Sequence, residues 1–408
     1  MKKLIGTVAV AALLATAAFA DGISFGSWGR GLFQVGNAKY DGDDSNTVTS
    51  WLGQSWGGAG PRTALVVNGS SENVGFSLDL HGNGSGLGIG DNALIWVKPI
   101  DAVKVVLAAK NDSNWLRSDA AFGLWNWDRI GPVGSEDEEG FIFPAILNKN
   151  LAVAITPIEG LFIGVGINSQ IADSDWGGPH ANATDGKNAN NFTVSDGNRF
   201  VDYLGRTIGF AASYTIADIG TIKAGVQGQG KGLNKDFESK DLIEIDAAFE
   251  LTAIENVYIA LGAKVPLMGN YNATTGADPI QINVYGRLGM IENLTINLLG
   301  GFKLNSGDVK EKEKDGAVGF RFGGEVEYAF SNGISVFGEV SYANGVYMVK
   351  SSADNQDTLG FGVGLWKGFS NGLIGVAFQG ATNAYGRNAL NKVDDLAWEV
   401  PVKFEYWF

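Results

Sequence analysis

The sequence ends with the stretch 394-DDLAWEVPVKFEYWF-408, in which apolar and polar residues alternate. Successive side chains of an extended strand point to opposite faces, so they repeat with period two. The charges Glu399, Lys403 and Glu405 share one face of such a strand. The other face is apolar and aromatic throughout, with Trp398, Val400, Val402, Phe404, Tyr406 and Phe408. The stretch therefore predicts a β-strand that has one oily face and one charged face.

The same alternation recurs in hairpins whose arms are joined by short turns. Three examples are TPIEGLFIGVGI at 156–167, TAIENVYIALGA at 252–263 and GMIENLTINLLG at 289–300. Asn and Gly suit these turns because they tolerate positive φ at low cost. Apolar side chains fall at every second position of both arms, and a period of two rather than 3.6 indicates strands.

The pattern predicts 18 strands, with 16 as the alternative, in an antiparallel up-and-down arrangement. The predicted strands are 23–35, 62–69, 74–82, 91–98, 102–110, 150–157, 161–169, 203–216, 219–229, 241–253, 257–266, 279–290, 294–304, 316–330, 334–344, 357–369, 373–382 and 395–408. Short turns alternate with long connections, which places both ends of the chain on the short-turn side. The longest connections, at 36–61, 111–149 and 170–202, are predicted to be external loops of one domain spanning 21–408.

The first twenty residues, MKKLIGTVAVAALLATAAFA, have the organisation of a secretory signal peptide. Two lysines precede an apolar segment, and Ala18 and Ala20 form a small-x-small cleavage site before Asp21. We expect residues 1–20 to be removed on export. The chain has no cysteine, so neither disulfides nor thiol chemistry is expected.

Composition excludes several classes of protein. There are 59 glycines and 9 prolines, and aromatic residues make up 11% of the chain, which disfavours helices and favours strands. After residue 20 no run of 18 apolar residues predicts a membrane-spanning helix. The formal net charge of −14 argues against nucleic acid as a partner, because phosphate binding needs a basic surface.

Alternation alone does not say which face is inside, since a soluble β-sandwich shows the same stripe. The large number of hairpins favours closure, because an open sheet of this size would curl or split. Aromatic residues such as Tyr258 and Phe330 lie near short turns, where a membrane interface would place them. A last strand that pairs with the first would leave no open edge in lipid. We therefore expect a transmembrane barrel.

These features together resemble outer-membrane β-barrels of the porin type. The resemblance covers the whole chain after the signal peptide. It implies that Phe404, Tyr406 and Phe408 form the C-terminal assembly signal, so that the partners are outer-membrane lipids and the barrel-assembly machinery. It also implies a passive channel for small hydrophilic solutes or ions, and it leaves the formation of a homo-oligomer open.

A barrel of this size encloses water, so charges on its inner face would line a pore. The principal candidates for the lumen wall are Lys104, Glu244, Asp246, Arg287, Lys303, Arg321, Glu325, Glu327, Glu339, Glu399 and Lys403. The same face is predicted to hold Asp79, Lys223, Glu250, Lys264 and Glu405. Arg206, Leu94 and Trp96 do not fit the alternation, which indicates a slipped register or a position near a rim.

The connection 111–149 is the candidate constriction loop. In general porins the third external loop folds into the lumen, and this loop has the same position in the order of strands. Its candidate pore residues are Arg117, Arg129, Glu136, Asp137, Glu138 and Glu139. An excess of carboxylates would favour cations. The alternative is a solvated acidic loop outside the barrel. Its tryptophans Trp115, Trp125 and Trp127 would either stack on sugars or pack within the loop.

No catalytic, cofactor or metal site is expected. The chain has two histidines, His81 and His180, which is too few for a convincing triad or metal cluster. The glycine-rich 82–90 lacks the spacing of a phosphate loop. The alternatives to a passive channel are a substrate-specific transporter and a surface adhesin or antigen. A first strand that begins at Ile23 leaves no room for an N-terminal plug.

Overall fold

The structure is a computed structural model of the chain. It describes residues 22–38, 47–53, 60–83, 86–112, 115–116, 118, 141–168, 208–228, 243–266, 271–272, 276–277, 280–304, 318–344, 347, 357–382 and 396–408. The predicted signal peptide and its cleavage residues Ala18, Ala20 and Asp21 lie outside these residues, as does the external loop 170–202. No helix in the described ranges is long and apolar enough to span a membrane.

The described residues form strands that nearly all belong to one antiparallel sheet. The strands are β1 Ile23–Ala38, β2 Thr47–Gly53, β3 Arg62–Ser70, β4 Val74–Asn83, β5 Gly86–Ile100, β6 Val103–Lys110, β7 Leu151–Ile158, β8 Leu161–Ile167, β9 Gly209–Ile216, β10 Gly220–Gly228, β11 Ile243–Leu251, β12 Val257–Pro266, β13 Tyr271–Asn272, β14 Gly276–Ala277, β15 Ile280–Ile291, β16 Leu294–Leu304, β17 Val318–Ala329, β18 Ile334–Ala343, β19 Thr358–Phe369, β20 Gly372–Thr382 and β21 Leu396–Trp407. Only β13 and β14 form a separate two-stranded ribbon among them.

The sheet closes because β1 pairs with β21, from Trp28 opposite Trp407 to Gly36 opposite Glu399. On its other edge, β1 pairs with β3 through Ile23–Arg30 and with β2 through Leu32–Ala38. Strands β2 and β3 thus share one position around the barrel, which has 18 positions in all. The predicted count of 18 is confirmed, and the alternative of 16 is wrong.

The two faces of the wall differ as the alternation predicts. On β17, Glu325 is 2% exposed while the adjacent Val326 is 47% exposed. Inward side chains of a closed barrel converge and shield one another, whereas outward ones diverge. The charged face is therefore the inner face, and the apolar face is the outer surface.

Tyr258 corrects one part of the interface prediction. Its side chain is buried and packs against Tyr285 on the inner face, with the two ring centroids 6.0 Å apart. It pairs across the strands with Arg287, whose guanidinium lies 5.4 Å from the Tyr258 ring centroid. Phe330, the other aromatic residue used in that argument, is exposed. Proximity to a short turn does not fix the face, because parity along the strand decides it.

The short turns have the backbone geometry that their residues predict. Asn256 and Asn293 have φ of 59° and 64°, and Gly333 has φ of 78°. These are left-handed values, which Asn and Gly adopt at least cost. The turns lie together at one end of the barrel, called here the short-turn end.

The long connections differ from the prediction at three places. The connection 36–61 contains β2, and 267–278 contains the β13–β14 ribbon. Strand β5 begins at Gly86 rather than at 91 because it is bulged, with register shifts opposite both β4 and β6. No register slip explains Leu94 and Trp96, because the alternation from Ala93 to Lys98 is regular and Ile95 and Val97 between and beside them are exposed. They are apolar residues at inner-face positions. Arg206 lies outside the described residues.

Candidate functional site

The candidate functional site is the lumen, and its wall carries the predicted charges. All eleven principal wall candidates lie at inner-face positions of their strands. Glu244, Asp246, Arg321, Glu325, Glu339, Glu399 and Lys403 are buried, and Lys104, Arg287, Lys303 and Glu327 are partly buried. The further residues Asp79, Lys223, Glu250, Lys264 and Glu405 lie on the same face.

Carboxylates dominate the wall formed by β17, β18 and β21. Glu325 and Glu339 stand directly opposite each other across β17 and β18. Asn297 Nδ2 donates to Glu325 Oε1 at 2.8 Å, and Tyr285 donates to Asn297 Oδ1 at 2.9 Å. These hydrogen bonds join inner-face positions of β15, β16 and β17, so they belong to the wall and not to a loop.

Glu399 on β21 continues this acidic wall. Its carboxylate accepts hydrogen bonds from the side-chain amides of Gln34 and Gln379 on the two neighbouring strands. Between Glu339 and Gln379, strand β19 presents Gly362 to the lumen, and the Glu339 side chain lies over it. The absence of a side chain at Gly362 leaves space for this carboxylate.

The connection after β6 turns into the barrel. Although β6 ends at Lys110, Trp115 packs edge-to-face on Phe162 near the start of β8, with ring centroids 6.1 Å apart. Lys223 Nζ on β10 donates to the carbonyl oxygen of Leu116 at 2.9 Å. Phe162 and Lys223 both lie near the short-turn end, so Trp115 and Leu116 lie on the inner wall near that end. We call the described residues 111–112 and 115–116 the descending arm.

Residues 141–149 form a return arm that lies against the inner wall. Phe141, Ile142, Phe143, Ile146 and Leu147 are all buried there. They pack with inner-face residues of β9, β11, β12, β15 and β16, namely Ala211, Ala248, Tyr258, Ala260, Tyr285 and Leu299. The result is a small hydrophobic core inside the barrel, which covers one flank of the wall.

Inner-face glycines make room for the return arm. A Cβ at Gly262 would overlap the carbonyl of Ile142, and one at Gly209 would overlap that of Ile146. A Cβ at Gly225 would meet the Ile146 side chain, and one at Gly164 the Leu147 side chain. We call Gly164, Gly209, Gly225 and Gly262 the glycine seat. These residues let the loop backbone approach the wall.

Polar residues join the two arms where they leave the wall. Asn111 Nδ2 donates to the carbonyl of Lys149 at 3.0 Å, and Asn148 Nδ2 donates to Asp112 Oδ1 at 3.3 Å. The backbone N–H of Asp112 donates to Asn92 Oδ1 at 3.0 Å, so the β5 bulge supports the same junction. No sequence pattern predicts this asparagine network.

The predicted constriction residues lie outside the described residues, namely Arg117, Arg129, Glu136, Asp137, Glu138 and Glu139. The described residues on either side of them, Leu116 and Phe141, contact the inner wall. Asn283 on β15 donates its side-chain amide to the carbonyl of Phe141 at 2.5 Å.

A cleft of about 400 Å³ lies on the inner wall near the short-turn end. Trp96 from β5, Lys104 from β6 and Trp115 from the descending arm line it, together with Asn68, Ser77 and Asn92. The cleft thus places Leu94 and Trp96, which did not fit the alternation, at inner positions. Trp125 and Trp127 lie outside the described residues.

Within the described ranges, one group of side chains has ligand atoms close enough together to hold a metal ion, namely Asp79, His81 and Asp91. Arg62 Nη2 contacts His81 Nδ1 and lies 3.4 Å from Asp91 Oδ1. Its guanidinium places a fixed positive charge at this group, which opposes a cation there. The bulge at Gly90 brings Asp91 beside His81, and no periodic pattern predicts this.

Comparison with known families identifies the barrel. A profile described as "Outer membrane protein beta-barrel domain" matches residues 161–365, just over half of the chain. The chain belongs to this family of outer-membrane β-barrels. As an outer-membrane barrel it resides in the outer membrane, and its apolar outer surface contacts lipid. A search of curated proteins found no match.

Solved porin structures share the architecture of this outer-membrane barrel. OccK11 (OpdR) of Pseudomonas aeruginosa is similar, with 10% identity and a TM-score of 0.52 over 95% of this chain and 96% of that one. The anion-selective porin from Comamonas acidovorans has 11% identity and a TM-score of 0.48 over 95% and 100%. A mutant of Rh. blastica porin has 14% identity and a TM-score of 0.46 with the same coverages. At these identities the likeness concerns the fold.

The proposed assembly signal of the outer-membrane barrel lies on β21 and just beyond it. Phe404 and Phe408 are exposed, and Tyr406 is partly buried against Gly29 of β1. Phe408 also donates its backbone N–H to Ser27 O at 2.8 Å, so the last residue contributes to the pairing that closes the barrel.

Proposed function

We propose that this outer-membrane barrel is a passive diffusion channel for small hydrophilic solutes and ions, and that the connection 111–149 narrows its lumen. The observation that carries the proposal is the contact of both arms of this connection with the inner wall. Leu116 on one arm accepts from Lys223, and Phe141 on the other accepts from Asn283. The acidic residues 136–139 lie in the chain between these two anchors.

We further propose that the channel prefers cations. Carboxylates of Glu325, Glu339 and Glu399 stand on one part of the wall, and Glu136–Glu139 would add four negative charges from the loop. Fixed negative charge raises the local concentration of cations and lowers that of anions. The candidate wall residues named above include nine carboxylates and seven lysine or arginine side chains, so the cations moderate this preference without reversing it.

Planar-bilayer recording with a tenfold KCl gradient tests both statements. The channel should give current steps that are proportional to the voltage. Its reversal potential should have the sign expected when K⁺ is more permeant than Cl⁻. A variant with Glu136, Asp137, Glu138 and Glu139 changed to Gln or Asn should shift that potential towards zero. A matched variant with Glu159 and Glu292, near two short turns, changed to Gln should leave it unchanged. A purified barrel that gives no steps would refute the channel, and an unshifted potential would refute the constriction.

The second candidate is a channel specific for one class of solute. The cleft lined by Trp96, Lys104 and Trp115 favours it, because a recessed site with aromatic and polar groups holds a solute instead of only passing it. Saturation of transport with rising solute concentration would distinguish this candidate from free diffusion, in which flux stays proportional to concentration.

A further inference from the structure

Two lysines share one tryptophan at the cleft near the short-turn end. Lys104 Nζ lies 5.1 Å and Lys98 Nζ 5.7 Å from the centroid of the Trp96 ring. Lys104 Nζ is also 5.9 Å from the centroid of Trp115, on the descending arm. Two like charges at one ring repel each other, so this arrangement stores unfavourable energy that a nearby negative charge would remove.

No carboxylate among the described residues forms an ion pair with Lys98 or Lys104, although the Asp112 carboxylate lines the same cleft. The sequence holds 44 acidic and 30 basic residues, yet among the described residues both ammonium groups contact tryptophan rings and form neither an ion pair nor a hydrogen bond. By contrast, Lys223 pairs with Glu250 at 2.6 Å, and Lys403 pairs with Glu405 at 3.1 Å. An ammonium group offers three donors, and within the part of the chain that the structure describes those of Lys98 and Lys104 meet no acceptor.

The cleft that Lys104 lines has the size and lining of a site for a small solute, and Lys98 adjoins it through the shared Trp96 ring. Its volume of about 400 Å³ is bordered by Trp96, Lys104 and Trp115, with the polar side chains of Asn68, Ser77 and Asn92. Trp rings offer flat apolar faces, and amides and hydroxyls offer further hydrogen bonds. Asp112 also lines the cleft, where Asn148 holds its carboxylate. Its negative charge disfavours an occupant with more than one negative charge.

We propose that Trp96, Lys98, Lys104 and Trp115 form a binding subsite for small organic monoanions that carry a planar apolar ring. The anionic group bonds to the lysine ammonium groups, and the ring lies against the tryptophans. This inference rests on the proposed channel function, because solutes reach the cleft through the lumen. The site holds an anion at one point of an otherwise acidic pore, so it sets a solute preference distinct from the preference for small ions.

Benzoate in single-channel recordings is the direct test. It should interrupt the KCl current in proportion to its concentration. Benzamide, which has the same ring without the charge, should leave the current uninterrupted, and cyclohexanecarboxylate, which has the charge without the planar ring, should interrupt it less. Changing both lysines, Lys98→Met with Lys104→Met, should raise the half-blocking concentration about tenfold or more, because charge-assisted hydrogen bonds are lost.

Lys110→Met is the matched control, since Lys110 lies on the same strand β6 at the opposite end and bonds to the carbonyl of Ile89. This variant should keep the benzoate block. Equal action of benzoate and benzamide, or full block in the double variant, would overturn the subsite. If the double variant does not assemble, the single variants Trp96→Leu and Lys104→Gln test the same contacts with benzoate.

Calorimetric titration of detergent-solubilised protein with benzoate separates the two proposals. Binding does not require conduction, so heat of binding that disappears in the lysine variants supports the subsite even where no current flows. An open channel without benzoate binding would refute the subsite alone. A barrel without current would refute the channel alone.

Discussion

Lys223 on β10 and Leu116 on the descending arm are joined by a hydrogen bond of 2.9 Å from Nζ to the carbonyl oxygen, although 107 positions separate them in the chain. The same ammonium pairs with Glu250 Oε1 at 2.6 Å, which fixes its position on the wall. One side chain of the barrel therefore fastens the loop by its backbone, independently of the loop's side chains.

Lys223→Met should release the descending arm from the wall. A hydrogen bond to a charged group contributes about 1.5–3 kcal/mol, so the anchored state would lose a large part of its advantage. We expect larger mean conductance, more current noise and faster proteolysis within 111–149. Lys367→Met, at an exposed position of the short-turn end, should change none of these. Unaltered noise and proteolysis in Lys223→Met would show that the arm is held by other contacts.

Gly262→Ala should displace the return arm, because the added Cβ would overlap the carbonyl of Ile142. Gly286→Ala, on the adjacent strand β15, is the control, because nothing lies within 4 Å of a Cβ at that position. Only Gly262→Ala should change conductance. Both variants should retain the folded, heat-modifiable band on a gel. Equal conductance in the two variants would contradict the glycine seat.

Val326→Lys should destabilise the barrel in lipid, because Val326 is on the apolar outer surface. Lysine on the lipid face near the bilayer midplane costs about 2–4 kcal/mol. Urea unfolding in vesicles should therefore show a lower midpoint. The neighbouring inner-face variant Glu327→Lys should unfold at a midpoint closer to that of the parent protein, because its side chain lies on the inner face and is not in contact with lipid. A reversed order of the two midpoints would mean that the faces are exchanged.

Phe404→Ala combined with Phe408→Ala should reduce assembly in cells and leave refolding in detergent almost unchanged. The reason is that both rings are exposed, so the folded barrel loses little packing when they are removed. Phe369→Ala, another exposed aromatic residue at the short-turn end, is the control. The quantity to measure is the fraction of heat-modifiable protein in outer-membrane preparations. If Phe369→Ala lowers the assembled fraction as much as the two terminal changes do, the terminal aromatic residues are ordinary lipid contacts and not an assembly signal.

The barrel could be predicted well from the sequence because strands and short turns are specified by neighbouring residues. Period two follows from strand geometry, and Asn256 and Asn293 mark turns whose positive φ the structure shows. Whether a side chain points into the lumen or towards lipid followed from its odd or even position along the strand. The prediction failed at β5, because a bulge adds residues without leaving a pattern, and at Tyr258, where position near a turn was used in place of parity.

The lumen was harder to predict because loop contacts depend on distant residues. The wall charges follow from alternation, but the glycine seat does not, since Gly209 or Gly262 has no side chain that distinguishes it from other strand glycines. One signal was available in the loop itself. The run 141-FIFPAIL-147 is strongly apolar for an external connection, and a solvated loop would not need it.

The pairing of β1 with β21 has a consequence for how the molecule is made. Trp28 meets Trp407 across that junction, whereas most other neighbours in the sheet are consecutive strands. The barrel cannot close until β21 has been synthesised, and until then the edge of β1 that β21 covers has no partner strand. Such long-range pairing is slow and prone to aggregation. The edges of β1 and β21 must therefore stay apart from the edges of other chains until the two strands meet.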